Sequence, residues 1–195
     1  MSLTLHPSAL AVALCAVAAH AQSRVQILHT SDLEGGVDAI ADAPNFAAVV
    51  ESLEADAAGN SIPSLLLSAG DNYIPGPFFS AAGARSLRDV FRTVLGQPDA
   101  REGDGRIDIS IMNLLGFDAS AVGNHEFDAG PDAFSGIIGT DIRSNFTQAR
   151  WRGAQFPYLS ANLDFSGEGS LSGLFTSQIL DSTAFRSELS DLTAA

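Results

Sequence analysis

Ala121-Val122-Gly123-Asn124-His125-Glu126-Phe127-Asp128 sets the reading of the whole chain. Small apolar residues run into Gly-Asn-His-Glu, followed by an aromatic residue, an aspartate and Gly130-Pro131. That is the pattern of a buried strand ending in a tight loop, with a helix start behind it. Open α/β sheets place their chemistry in loops at the carboxyl ends of strands. Asn124 offers a carbonyl oxygen to a metal, and His125 an imidazole, as ligand or as proton donor. Asp128 can take the second ring hydrogen and set the tautomer. Taken alone, the octapeptide also fits a polar connecting loop in which Gly123 supplies an unusual dihedral.

Two further stretches argue against a plain loop. Val25 to Thr30 reads as a strand and runs into Ser31-Asp32-Leu33-Glu34-Gly35-Gly36. Ser64 to Ala69 is a short apolar strand and runs into Gly70-Asp71-Asn72. Three strands thus deliver Asp or Asn at their carboxyl ends, and oxygen-rich clusters suit hard or borderline divalent metals. In this order, Ile27-Leu28-His29-Thr30-Ser31-Asp32, Gly70-Asp71 and Gly123-Asn124-His125-Glu126-Phe127-Asp128 resemble the calcineurin-like metallophosphoesterases. The nearest branch is the secreted 5′-nucleotidases and their bacterial relatives. Phe156-Pro157-Tyr158-Leu159-Ser160-Ala161-Asn162-Leu163 resembles that branch's next strand, so the resemblance runs from Val25 to Leu163.

The resemblance implies an α/β fold, the first half of that family's αββα sandwich. It implies two divalent metal ions (manganese, zinc, magnesium or calcium) held by Asp32, Asp71 and Asn124, with Asp71 bridging. His125 would stabilise or protonate the leaving oxygen, and Asp128 would orient it. The substrate would be a small phosphorylated molecule, a nucleoside 5′-phosphate in this branch. Two departures stand out. The family has Asp-x-His at the first strand end, where this chain has Asp32-Leu33-Glu34. Glu34 is read as a ligand, against a solvent-facing carboxylate in a glycine-rich turn. No histidine follows His125, although the family completes its metal shells with downstream histidines. Residues 22–195 therefore read as the N-terminal part of a catalytic domain, without the C-terminal domain that binds the nucleoside in that branch. His29 is read as a core histidine, because alternation places it on the opposite sheet face from Thr30.

Composition narrows the function classes. The chain has 195 residues, 46% of them hydrophobic, which is enough for one domain with a real core. Its net charge is −13, with ten arginines and no lysine, so it should repel a nucleic-acid backbone. An acidic protein that handles phosphate needs local positive charge, which bound metal supplies. Residues 1–21 read as a secretory signal peptide: Ala9 to Ala19 is apolar, and Ala19-His20-Ala21 is a small-x-small cleavage site. That run is too short to span a bilayer. The expected location is periplasmic or extracellular. Cys15, the one cysteine, lies inside it, and Leu14 before it is too large for a lipoprotein cleavage site.

Helices are expected over Pro44 to Ala58, Ala84 to Leu95, Ile107 to Leu115 and Pro131 to Ile138, and strands over Ala119 to Val122 and Phe156 to Asn162. Asn72 to Gly83 reads as a rigid loop whose Phe78 and Phe79 pack in the core. Asp99, Glu102, Asp104 and Asp108 hint at a calcium loop but fail its spacing, so a solvated loop is expected. Asn145-Phe146-Thr147 matches a glycosylation acceptor without further support. Ser166 to Ala195 shows little to read. Alternating strands and helices point to a largely parallel sheet. Three functions fit: a secreted two-metal phosphomonoesterase of 5′-nucleotidase type, a phosphodiesterase or broad alkaline phosphatase, or a non-catalytic surface or adhesion protein that kept the fold.

Overall fold

The computed structural model describes residues 24–34, 36–142, 149–172, 174 and 179–180. The expected signal peptide, Cys15 and Asn145-Phe146-Thr147 lie outside the described residues. In chain order the elements are β1 (Gln26–Thr30), α1 (Val37–Gly59), β2 (Ser64–Ser68), α2 (Pro77–Ala81), α3 (Arg88–Val94) and α4 (Arg106–Leu115). They continue with β3 (Ala119–Ala121), α5 (Pro131–Ile138), β4 (Asp141–Ile142), β5 (Ala149–Trp151), β6 (Tyr158–Leu159), α6 (Gly169–Ser172) and β7 (Ile179–Leu180). Single 3₁₀ turns cover Arg85–Leu87 and His125–Phe127.

Five strands form one parallel sheet in the order β1-β2-β3-β6-β7, and β4 pairs antiparallel with β5 in a separate ribbon. The expected α/β class with a parallel sheet is therefore present. The functional consequence is direct. Because β1, β2 and β3 are parallel neighbours, the loops that follow them emerge side by side at one end of the sheet.

One face of the sheet is buried under α1, α4 and α5. Leu66, Ile109, Met112, Phe134, Ile138, Trp151 and Tyr158 are all nearly inaccessible there. Phe134 packs edge-on against both Phe127 and Tyr158, tying α5 to the third loop and to β6. The register aligns Thr30, Ser68, Ser120 and Tyr158 across four strands, a polar row at the end of the sheet just below the loops. The other face is open at β1, where Ile27 is 61% exposed. His29 shares that face and is exposed, so it is not the core histidine its position suggested. Alternation placed it correctly on the opposite face from Thr30, but no described element covers that face at the sheet edge.

Local readings held in several places. α5 matches Pro131 to Ile138, with Pro131 in its first turn and Gly130 before it at φ 87°. Gly116 ends α4 in the left-handed conformation at φ 75°. Phe78 and Phe79 are buried as expected, although they sit on the short α2 rather than in a loop. α1 starts at Val37, with Pro44 inside it. Pro44 supplies no N–H and its ring crowds the carbonyl four residues back, yet the helix continues through it. β6 is confined to Tyr158–Leu159, shorter than the expected Phe156 to Asn162. In the stretch from Gln97 to Arg106, Glu102 takes two hydrogen bonds from Arg88, through Nε at 2.7 Å and through Nη2. Asp108 lies inside α4 and is buried.

Candidate metal centre

Glu126 organises the end of the sheet. It is fully buried. Its Oε2 accepts hydrogen bonds from the backbone N–H of Asp71 at 3.0 Å and of Gly123 at 2.8 Å. Its Oε1 accepts from the N–H of Asn72 at 2.9 Å and from the Asn72 amide at 3.2 Å. One carboxylate thus binds the loop after β2 to the loop after β3. Burial pushes its carboxyl above the ordinary range, while the N–H groups of Asn72, Asp71 and Gly123 pull the other way by favouring the charged form. Asn72 extends the clamp below, donating to Ser120 Oγ at 2.7 Å and to Tyr158 Oη at 3.2 Å. Tyr73 closes it above by donating to the Glu126 carbonyl at 3.2 Å.

The loops approach one another without intervening side chains. A Cβ on Gly123 would stand 2.6 Å from the Asp71 nitrogen, and one on Gly70 would stand 2.5 Å from the Gly123 nitrogen. Asp32 and Asp71 both adopt left-handed backbone at φ 54°. Non-glycine residues rarely do so, with Asp and Asn the tolerated types. The N–H of Asp32 donates to the Gly70 carbonyl at 3.3 Å, so the first loop is tied to the second. Two adjacent strands therefore end in the same strained turn, each delivering an aspartate.

Glu34, Asp71 and His125 converge. One ligand atom from each lies within 4.8 Å of the others, and all three are partly buried. The His125 N–H donates to Asp71 Oδ1 at 2.8 Å, which seats the histidine loop on that aspartate. The imidazole lies between carboxylates, with Nδ1 2.6 Å from Asp128 Oδ2 and Nε2 3.4 Å from Glu34 Oε1. Its pKa is raised above the ordinary histidine value, first by the hydrogen bond to Asp128 and then by the charges of Asp128, Glu34 and Asp71, against some desolvation. Glu34 faces this cluster rather than solvent. Asp32 and Asn124 are exposed at the rim, and Asp32 is outside the converging triple. Reading from residues alone named Asp71, Glu34, His125 and Asp128 but passed over Glu126 and Asn72. No local pattern marked them, because Glu126 meets Asp71 and Asn72 only across the fold.

Sequence comparison finds relatives over about a third of the chain. Over 70 residues the chain is 37% identical to the trifunctional nucleotide phosphoesterase protein YfkN of Bacillus subtilis (strain 168), covering 35% of this chain and 5% of that protein. Over 68 residues it is 40% identical to protein UshA of Salmonella pullorum, covering 35% and 10%. Over 66 residues it is 42% identical to the 5′-nucleotidase of Mus musculus, covering 33% and 9%. The chain is similar to 5′-nucleotidase-type phosphoesterases. The matched stretches span a tenth or less of each relative's own length. No family model matches the chain. Among solved structures it is similar to the NAD nucleotidase NadN of Haemophilus influenzae, with TM-score 0.41 and 21% identity over 71% of this chain and 20% of that one. Among the described residues, no helix is long and apolar enough to cross a membrane.

Proposed function

We propose that this chain carries the metal-binding end of a phosphomonoesterase acting on nucleoside 5′-phosphates, with two divalent ions. The convergence of Glu34, Asp71 and His125 is the observation that carries this reading. The carboxylates of Glu34 and Asp71 form an oxygen donor pair suited to a divalent ion of hard or borderline character, and the imidazole stands beside it. The charges around His125 are those of Asp128, Glu34 and Asp71, so a phosphate dianion needs a cation to settle there. Asp32 and Asn124, from the rim, complete the proposed ligands, with Asp71 shared. A bound divalent ion supplies Lewis-acid polarisation of the phosphoryl group. His125 gives its Nε2 proton to the leaving alcohol oxygen. Asp128 holds the Nδ1 proton, and the raised pKa of the ring favours the doubly protonated form that carries a second proton on Nε2. Glu126 holds the Asp71 and His125 loops in register and touches no substrate.

The names of the relatives support nucleotides as the substrate class. Residues 1–21 support export, with cleavage after Ala21, checked by mass spectrometry of periplasmic material. The central test is phosphate release from nucleoside 5′-monophosphates by the purified full chain with manganese, calcium or zinc, before and after chelation. Asp71→Asn keeps a residue type that tolerates the left-handed turn and removes the shared charge. It should abolish tight metal binding in calorimetry. His125→Ala should lower kcat by roughly 10²- to 10⁴-fold. Activity indifferent to chelation would overturn the reading. Glu34→His softens the ligand set, so zinc-supported activity should rise relative to manganese-supported activity.

A further inference from the structure

A cleft of about 360 Å³ runs between α1 and α4 and opens beside Glu34. Asp108 and Met112 of α4 line it with Phe46 of α1 and Phe78 of α2, and the exposed Asp32 and Asp42 stand at its mouth. Asp108 is the member that calls for a ligand. It is 6% exposed, and its Oδ2 is buried with no hydrogen-bond partner among the described residues. Desolvation raises its pKa to about 7, and only its own backbone N–H acts in the other direction. No arginine or histidine contributes to that balance. A buried carboxylate in an acid-rimmed cleft lacks a counter-charge among the described residues.

A bare divalent ion has no cage here: Asp108 is absent from the one group of described residues whose ligand atoms converge. The walls are apolar and aromatic, and once Asp32 and Glu34 are assigned to the metal centre, Asp108 and Asp42 are the carboxylates left for a ligand. Aromatic faces and carboxylates together select an organic cation. We propose that this cleft is a second ligand site, taking a small organic cation with an ammonium group on a compact apolar body. Asp108 lies opposite the ammonium group, and Phe46 and Phe78 pack on the body. Since Glu34 lines the cleft and also belongs to the converging triple, the ligand sits against the metal centre without entering it.

The test is calorimetric titration of the purified full chain at pH 8, at matched ionic strength, with n-butylammonium chloride and with n-butanol as its neutral counterpart. The ammonium should bind at least roughly tenfold tighter than the alcohol, the range expected of a partly desolvated cation between carboxylate and aromatic groups. Asp108→Asn preserves shape and removes the charge; it should bring the ratio close to one while thermal melting stays cooperative. Asp42→Asn, at the exposed mouth, should reduce the ratio by a smaller factor. Asp132→Asn, at an exposed position of α5, controls for the general attraction of an acidic protein for cations and should leave the ratio unchanged. Equal affinity for ammonium and alcohol overturns the proposal. So does a ratio that survives Asp108→Asn, or one that Asp132→Asn lowers as much.

Discussion

Glu126 carries more of the site's geometry than any ligand does, because four N–H groups from two loops end on its two oxygens. Glu126→Gln keeps the volume and replaces one acceptor oxygen by an amide nitrogen. Whichever way the amide turns, two of those N–H groups then face a donor. Buried donors left unsatisfied are costly, so the change should destabilise the fold by about 3 kcal/mol and weaken metal binding with it. Denaturant unfolding checks this; a loss under about 1 kcal/mol would show that the clamp is dispensable. His125 supports a second prediction. The Asp128 hydrogen bond is the largest cause of its raised pKa. A raised histidine pKa means that the folded state favours the protonated ring, so this contribution to stability is full below the unfolded pKa and fades as pH rises through the folded one. Asp128→Asn should lower the His125 pKa in metal-free protein, seen as an earlier upfield shift of its ring protons in an NMR titration. An unchanged midpoint would mean that Asp128 does not set the imidazole.

At the level of elements, the site depends on how closely two loops approach. Gly123 permits that approach, since a Cβ there would collide with the Asp71 backbone nitrogen and, at 2.2 Å, with its Oδ1. Backbone cannot yield as a flexible side chain can. Gly123→Ala should therefore push the Asp71 loop away and lose several kcal/mol along with tight metal binding. Gly116 is the natural comparison: it caps α4 at φ 75°, and a Cβ there would meet nothing within 4 Å. Gly116→Ala meets only backbone strain, costing about 1 kcal/mol and leaving metal binding intact. Similar effects from both substitutions would contradict the close-approach account.

Across the whole molecule, two acidic groups shape stability in opposite senses. Glu102 has its pKa lowered to about 2, first by the hydrogen bond from Arg88. Its contribution is present above the unfolded value of 4.5 and is lost as pH falls towards 2. Asp108 has its pKa raised from 3.8 to about 7 by burial, so the folded state holds a proton that the unfolded state has released. Its effect is a loss of stability as pH rises from 3.8 to about 7. Arg88→Ala should destabilise the fold at pH 7 and progressively less under acid. Asp108→Asn should do the reverse, raising stability at pH 8 by about 2–4 kcal/mol and changing little at pH 3. Thermal melts of the two variants across that range check both signs.

Much of this was legible in the sequence because it depends on neighbours along the chain. Apolar runs ending in Asp or Asn located β1, β2 and β3, and Gly130-Pro131 and Gly116 marked helix limits through local backbone preferences. The order of the motifs carried the likeness to nucleotide phosphoesterases, with Asp71, Asn124, His125 and Asp128 already in view. The pairing of β1, β2 and β3 as parallel neighbours is a tertiary fact, and it sets their loops side by side. Glu126 spans 55 positions to reach Asp71, and Glu34 meets His125 across the sheet end, neither of which any local pattern encodes. Burial of Asp108 and exposure of His29 were likewise decided by which elements cover each face. Propensity acts over a few residues, whereas burial and electrostatics depend on what the fold brings near.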